Sequence, residues 1–230
     1  ENPHFAHKLN KSYTYLTDCL IRSIWKIAVE VLHKTASKTK AEQLSVLAVG
    51  GYGRGEMAPF SDVDLLFLTP YKLTLWSESV IESMLYMLWD LKLKVGHSSR
   101  TIKDCLRLGK EDFTIRTAML EHRHVIGDKD LSKKLEKTLF EDLFWGSEQE
   151  FIQAKLNERE ARHEKQGGQR YVVEPNVKEG KGGLRDLHSL YWIAKYVHRV
   201  KTIAELVNLG LFTKEEYKIF QSAETFLWAV

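Results

Sequence analysis

Cysteine is scarce in this sequence, and so is net charge. Two thiols in 230 residues, Cys19 and Cys105, are too few for a disulfide framework or a zinc centre. Both fall in apolar helical patterns, so they read as small buried hydrophobes, which suits a reducing cytoplasm. The formal net charge is only +3, short of the strongly basic face expected of a nucleic-acid scaffold. No apolar run approaches the ~18 residues that a membrane span needs. No signal peptide is visible, because residues 1–11 are polar and carry His and Lys. The expectation is a cytoplasmic protein with neither nucleic-acid nor membrane partners. The chain also lacks an initiator Met and stops inside the apolar run Phe226-Leu-Trp-Ala-Val230, so both ends read as cut from something longer.

What is present is an ordinary globular composition, 43% hydrophobic and 28% charged, enough for one core or for a core and a helical lobe. Leu16, Leu20, Ile24, Ile27 and Val31 recur at helical spacing and predict a helix over residues 13–34. Residues 44–49 and 63–68 are short, apolar, β-rich runs, closed by Gly50-Gly51 and Thr69-Pro70, and read as buried strands. A long helix follows on Trp76, Val80, Ile81, Met84, Leu88 and Leu91, and residues 93–98 form a third strand. From Asp112 onward the patterns are helical, with capping-box forms at Ser147–Glu150, Thr202–Glu205 and Thr213–Glu216. The exception is a loop over residues 171–183. The reading is an α+β chain in three parts. An N-terminal helix spans residues 1–41, a small mixed sheet flanked by helices spans 42–111, and an all-helical lobe spans 112–230.

Gly50-Gly-Tyr-Gly-Arg-Gly-Glu56 leads through Met57-Ala-Pro-Phe-Ser61 to Asp62-Val-Asp64. Residues i and i+2 of a strand share a face, so Asp62 and Asp64 project together. Two carboxylates held that close repel unless a cation lies between them, and hard oxygen ligands on so short a spacing suit Mg²⁺ beside substrate phosphates. The side-chain-poor turn at Gly50 and Gly51 allows backbone N–H groups close to an anion. Arg54 could fork onto a phosphate, and Ser61 adds a hydroxyl beside the first carboxylate. A glycine cluster alone is usually just a turn. Strand, glycine pair, acidic pair and strand in this order form a far more specific combination.

This segment resembles the signature of the polymerase-β-like nucleotidyltransferase superfamily. The resemblance implies that fold, an acidic pair holding two metals, and in-line attack on the α-phosphorus with pyrophosphate leaving. Many relatives place a third carboxylate on the strand after the helix. Here that strand reads Lys94-Val-Gly-His-Ser98 and has no acid, so the role could fall to Asp186, Glu174, Glu121 or a water.

A second motif, Glu174-Pro-Asn-Val-Lys-Glu-Gly-Lys-Gly-Gly-Leu-Arg-Asp-Leu187, is more specific. Lys178, Lys181 and Arg185 sit on a glycine-rich loop that enters a helix at about Leu184, an arrangement favourable to anions. Lys155, Arg159, Arg162, Lys165 and Arg170 thicken the positive charge upstream. Charge runs are often just solvated surface. With the first motif and the segment running from Leu88 to Thr101, however, this loop is very similar to that of the bacterial protein-PII uridylyltransferases, over nearly the whole chain. The resemblance implies UTP as donor and a tyrosine of the PII signalling protein as acceptor. It also implies that complete members continue into a His-Asp phosphohydrolase domain and two ACT domains, and no His-Asp dipeptide occurs here. The expected nucleotide-binding residues are Gly50, Gly51, Arg54, Ser61, Lys178 and Arg185, with Asp62 and Asp64 catalytic and metal-binding. Two alternatives stand beside this reading. One is adenylyl transfer to glutamine synthetase by a sister family. The other is a non-catalytic nucleotide-binding module, favoured only by the missing third acid. Glu121-His-Arg-His124 reads as helical, which would turn the two histidines away from each other.

Overall fold

The computed structural model describes residues 4–35, 39–165, 176–200 and 202–230. The chain divides into two compact units, residues 9–143, and residues 144–230 together with the first residues of the chain.

The first unit is built on a four-stranded mixed sheet of order β3-β2-β1-β4. Its strands are β1 (Ser45–Ala48), β2 (Val63–Thr69), β3 (Val95–Thr101) and β4 (Arg123–Gly127). β1 pairs antiparallel with both β2 and β4, whereas β2 and β3 run parallel, with Asp64 opposite Gly96. The parallel pair needs a crossover, supplied by helix α3 (Leu75–Asp90), whose Val80, Ile81, Met84, Leu85 and Leu88 are buried. They meet Val63, Leu65 and Phe67 of β2 in the main core, with Ile21, Ile24, Trp25 and Ala28 of the N-terminal helical segment. That segment is helix α1 (His4–Lys26), extended by a π-helical stretch, Ile27–Leu32.

Three expectations need correction. Residues 123–127 form a strand, not part of a helix, so His124 lies in the sheet opposite Leu47. The chain around them also remains with the sheet as far as Leu143. Since β4 completes one side of β1, the boundary expected after residue 111 is displaced downstream. From Leu9 onward the expected separate N-terminal helix likewise belongs to the sheet unit, because its buried face closes the same core.

Helices α4 (Ile102–Glu111), α5 (Phe113–Leu120) and α6 (Lys129–Leu139) complete this unit. The helical unit carries α7 (Glu148–Lys165), α8 (Leu184–His198), the short α9 (Glu205–Asn208) and α10 (Lys214–Ala229). Here the Phe151 ring stacks on Tyr196 with centroids 3.9 Å apart. Lys155 is buried beside them, its ammonium 5.0 Å from the Trp192 ring and 2.6 Å from Glu158. The box expected at Thr213 and Glu216 caps α10, and the Ser147 hydroxyl shares a hydrogen bond with the Tyr196 hydroxyl at 2.7 Å.

Candidate active site

The acidic pair stands at the entrance to β2. Asp62 is exposed just before the strand, and Asp64, one residue inside it, is half-buried. Among the described residues neither carboxylate has an ion pair or a side-chain hydrogen bond. Burial, and then the negative charge of Asp62, hold the Asp64 carboxyl above its ordinary range. Two adjacent carboxylates that lack a counter-charge form a donor set suited to a hard divalent cation, and two such ligands with substrate phosphates satisfy Mg²⁺.

The glycine segment is not an open turn. Gly50–Arg54 closes into a five-residue helix, α2, starting from Gly50 with φ of 58°. The Val49 amide donates to the Asp64 carbonyl at 3.1 Å, which ties the start of α2 to the acidic strand. Tyr52 anchors it from below. Its phenol donates to Asp18 at 2.6 Å, and Asp18 also takes two bonds from Arg123 on β4, at 2.7 and 3.0 Å. Burial pushes Asp18 up, but the bonds from Arg123 and Tyr52 outweigh it and hold the carboxyl below its usual range.

Arg54 stands differently from the sequence expectation. Its side chain is 9% exposed and paired with Glu121, 1% exposed, at the end of α5, and with Glu56 at 3.0 Å. Burial opposes the guanidinium charge, yet the two glutamates raise its pKa on balance. Arg54 thus clamps α2 against α5, and Glu121, a candidate third acid, already faces a cation. Ser61 is half-buried in the turn before Asp62, its amide donating to Ala58 at 3.1 Å. Beside it stands Phe60, 91% exposed and with φ of 67°, a residue that motif reading passed over because it fits no ligand pattern.

In the helical unit, Glu174 and Arg170 lie outside the described residues. From Asn176 onward the second motif forms a self-closed clasp. The amides of Lys178 and Glu179 donate to the Asn176 side chain, and those of Gly180, Gly183, Leu184 and Arg185 donate to loop carbonyls. The Gly182 amide donates to Asp186 at 2.8 Å. The glycines therefore serve chain compaction. A Cβ on Gly183 would lie 2.6 Å from the Val177 carbonyl. Asp186 also accepts from Arg162 and His163. Burial raises its pKa, but the Gly182 amide, Arg162 and His163 bring it below the usual range, so this second candidate acid is likewise engaged. Arg185 pairs with Glu179 at 3.1 Å and lies over the Trp192 ring. Lys178 and Lys181 are exposed. No group of three or more metal-ligating side chains occurs among the described residues.

Comparison with known proteins agrees with both motifs. Residues 31–123 match the nucleotidyltransferase domain family, and residues 150–230 match the family described as GlnD PII-uridylyltransferase. A bifunctional uridylyltransferase/uridylyl-removing enzyme from Ruegeria pomeroyi is 65% identical over 230 residues, all of this chain and 25% of the relative. The enzyme of the same name from Cereibacter sphaeroides is 63% identical over 228 residues, 99% of this chain and 24% of that one. One from Novosphingobium aromaticivorans is 54% identical over 216 residues, covering 94% and 24%. The chain thus spans about a quarter of the length of the curated relatives it matches.

Proposed function

Given that this chain belongs to the PII-uridylyltransferase family, we propose that it transfers UMP from UTP to a tyrosine of a PII protein. The observation that carries the reading is the acidic pair at the start of β2, adjacent in space, lacking a counter-charge, and hydrogen-bonded through its strand to the glycine helix α2.

Asp62 and Asp64 would hold Mg²⁺, which supplies charge neutralisation for the triphosphate and the departing pyrophosphate. The tyrosine oxygen forms a bond to the α-phosphorus as the α–β bridging bond breaks. The phenolic proton is released and pyrophosphate leaves. Gly50, Gly51 and Ser61 border the phosphates. Arg54 serves chiefly by fixing α2, with any phosphate contact made from within its pair with Glu121. Lys178 and Arg185 are assigned to the nucleotide phosphates as well, through their side chains, since the clasp engages most of its own amides. With Glu121 and Asp186 engaged, Glu174 or a water is left as the complement to the pair. Such UTP chemistry suits a cytoplasmic protein. No helix among the described residues is long and apolar enough to cross a membrane.

The test is incubation of the chain with purified PII, Mg²⁺ and α-labelled UTP or ATP. Label should pass from UTP to PII with release of pyrophosphate. Transfer from ATP to glutamine synthetase would establish the sister activity instead. Nucleotide binding without pyrophosphate release in any combination would make the chain a binding module.

A further inference from the structure

We propose that Gly96 is a positioning residue for the Asp64 carboxylate, and that its missing side chain sets how the metal site is presented. The inference rests on the reading of Asp62 and Asp64 as metal ligands.

β2 and β3 are parallel, and Gly96 is the register partner of Asp64, so both residues face the same side of the sheet. The carboxylate leans into the space over Gly96. A Cβ there would overlap Asp64 Oδ1 and lie 3.6 Å from its Cγ. On the other flank, a Cβ on Gly50 would lie 3.2 Å from Asp64 Oδ2. Each oxygen therefore points at a position without a side chain. Because no ion pair or side-chain hydrogen bond fixes the carboxylate among the described residues, this empty space defines its direction.

The two glycines have different reasons to be there. Gly50 has a φ of 58°, a backbone requirement independent of Asp64. Gly96 is not among the residues with positive φ, so its backbone would accept any residue. It lies within a strand, where glycine contributes nothing to packing and weakens the element. Close approach of the neighbouring carboxylate is the remaining account, and a methyl group at 96 would turn Asp64 away from Asp62's partner ion.

The test compares the chain with Gly96→Ala, Asp64→Ala and the double variant, using Mn²⁺ as probe. Mn²⁺ binding is followed by water-proton relaxation, and stability by metal-free thermal melting. Gly96→Ala should bind Mn²⁺ about tenfold or more weakly, the scale for a residue that orients a metal ligand. The change in melting temperature on Gly96→Ala should be less favourable in the parent than in the Asp64→Ala background, because the added methyl overlaps only the Asp64 carboxylate. Parental Mn²⁺ affinity in Gly96→Ala would overturn the proposal. So would an equal change of melting temperature with and without Asp64→Ala, since residue 96 would then act on the strand alone. Failure of the underlying metal reading has its own signature. In that case the parent chain would bind Mn²⁺ no better than Asp64→Ala, whatever the melting data show.

Discussion

The carboxyl of Asp64, raised by burial and then by the charge of Asp62, binds a proton more tightly in the folded chain than in the unfolded one. Its ionisation therefore works against the metal-free fold. Stability falls as pH rises from the ordinary aspartate range through the raised value. Asp64→Asn should make the metal-free chain more stable near neutral pH, by up to about 1 kcal/mol, while transferase activity falls by at least about 10³-fold. Melting curves and label transfer on one preparation check both signs. At Arg54 the sign is opposite. Arg54→Met would leave buried Glu121 without its cation, and urea denaturation should show a loss of about 3–5 kcal/mol. Adding Glu121→Leu should return most of it, because the uncompensated charge is removed. Phe60 presents a third case. A bulky aromatic in the left-handed region is strained, and Phe60→Asn should add about 1 kcal/mol to stability. If activity drops in that variant, the strained, exposed ring has a task beside Asp62.

Among the elements, legibility followed how locally each is determined. The crossover helix α3 was plain, because Val80, Ile81, Met84 and Leu88 all face one core. The first helix was found, but the apolar repeat that revealed it coincides only in part with the face it buries. Leu16 and Val31 are 63% and 71% exposed, while Ile21, Ile24, Trp25, Ala28 and Val29 are buried. Two apolar stripes compete on that helix, and only the position of the sheet decides between them. β4 was missed because Arg123-His-Val-Ile-Gly127 has little apolar content and owes its strand form to pairing with β1, which tertiary context grants and local pattern does not. The placement of the acidic pair at the head of a strand was legible because both the spacing and the apolar run after it are local. The engagement of Arg54 by Glu121 was not, since 67 residues separate them. The clasp yields a prediction of the same kind. Lys178 is exposed, whereas Arg185 is also braced by Glu179 and Trp192. Both alanine variants should weaken UTP binding by about 1–3 kcal/mol, with little change for uridine. Only Arg185→Ala should also lower the melting temperature. Calorimetry with both ligands, beside thermal melts, separates the two effects.

For the whole molecule, each compact unit carries a carboxylate held below its usual range, buried Asp18 in one and half-buried Asp186 in the other. Folded-state pKa values below the unfolded ones give stability that is present above the ordinary aspartate range and lost as pH falls through the depressed values. Melting temperature should therefore decline below about pH 4, and Asp18→Asn should flatten part of that decline while lowering stability at neutral pH. The sheet order has a consequence during synthesis. β1 is wholly buried and bonded on both edges, to β2 and to β4. A ribosome delivers Ser45 through Thr69 early, but Arg123 only after α3, β3, α4 and α5 have emerged. Until then β1 offers an unpaired apolar edge, the kind of template on which nascent chains stick to one another. Ribosome-stalled chains ending before Arg123 should crosslink to a holdase chaperone, and that crosslink should fade once the chain has emerged past Leu143.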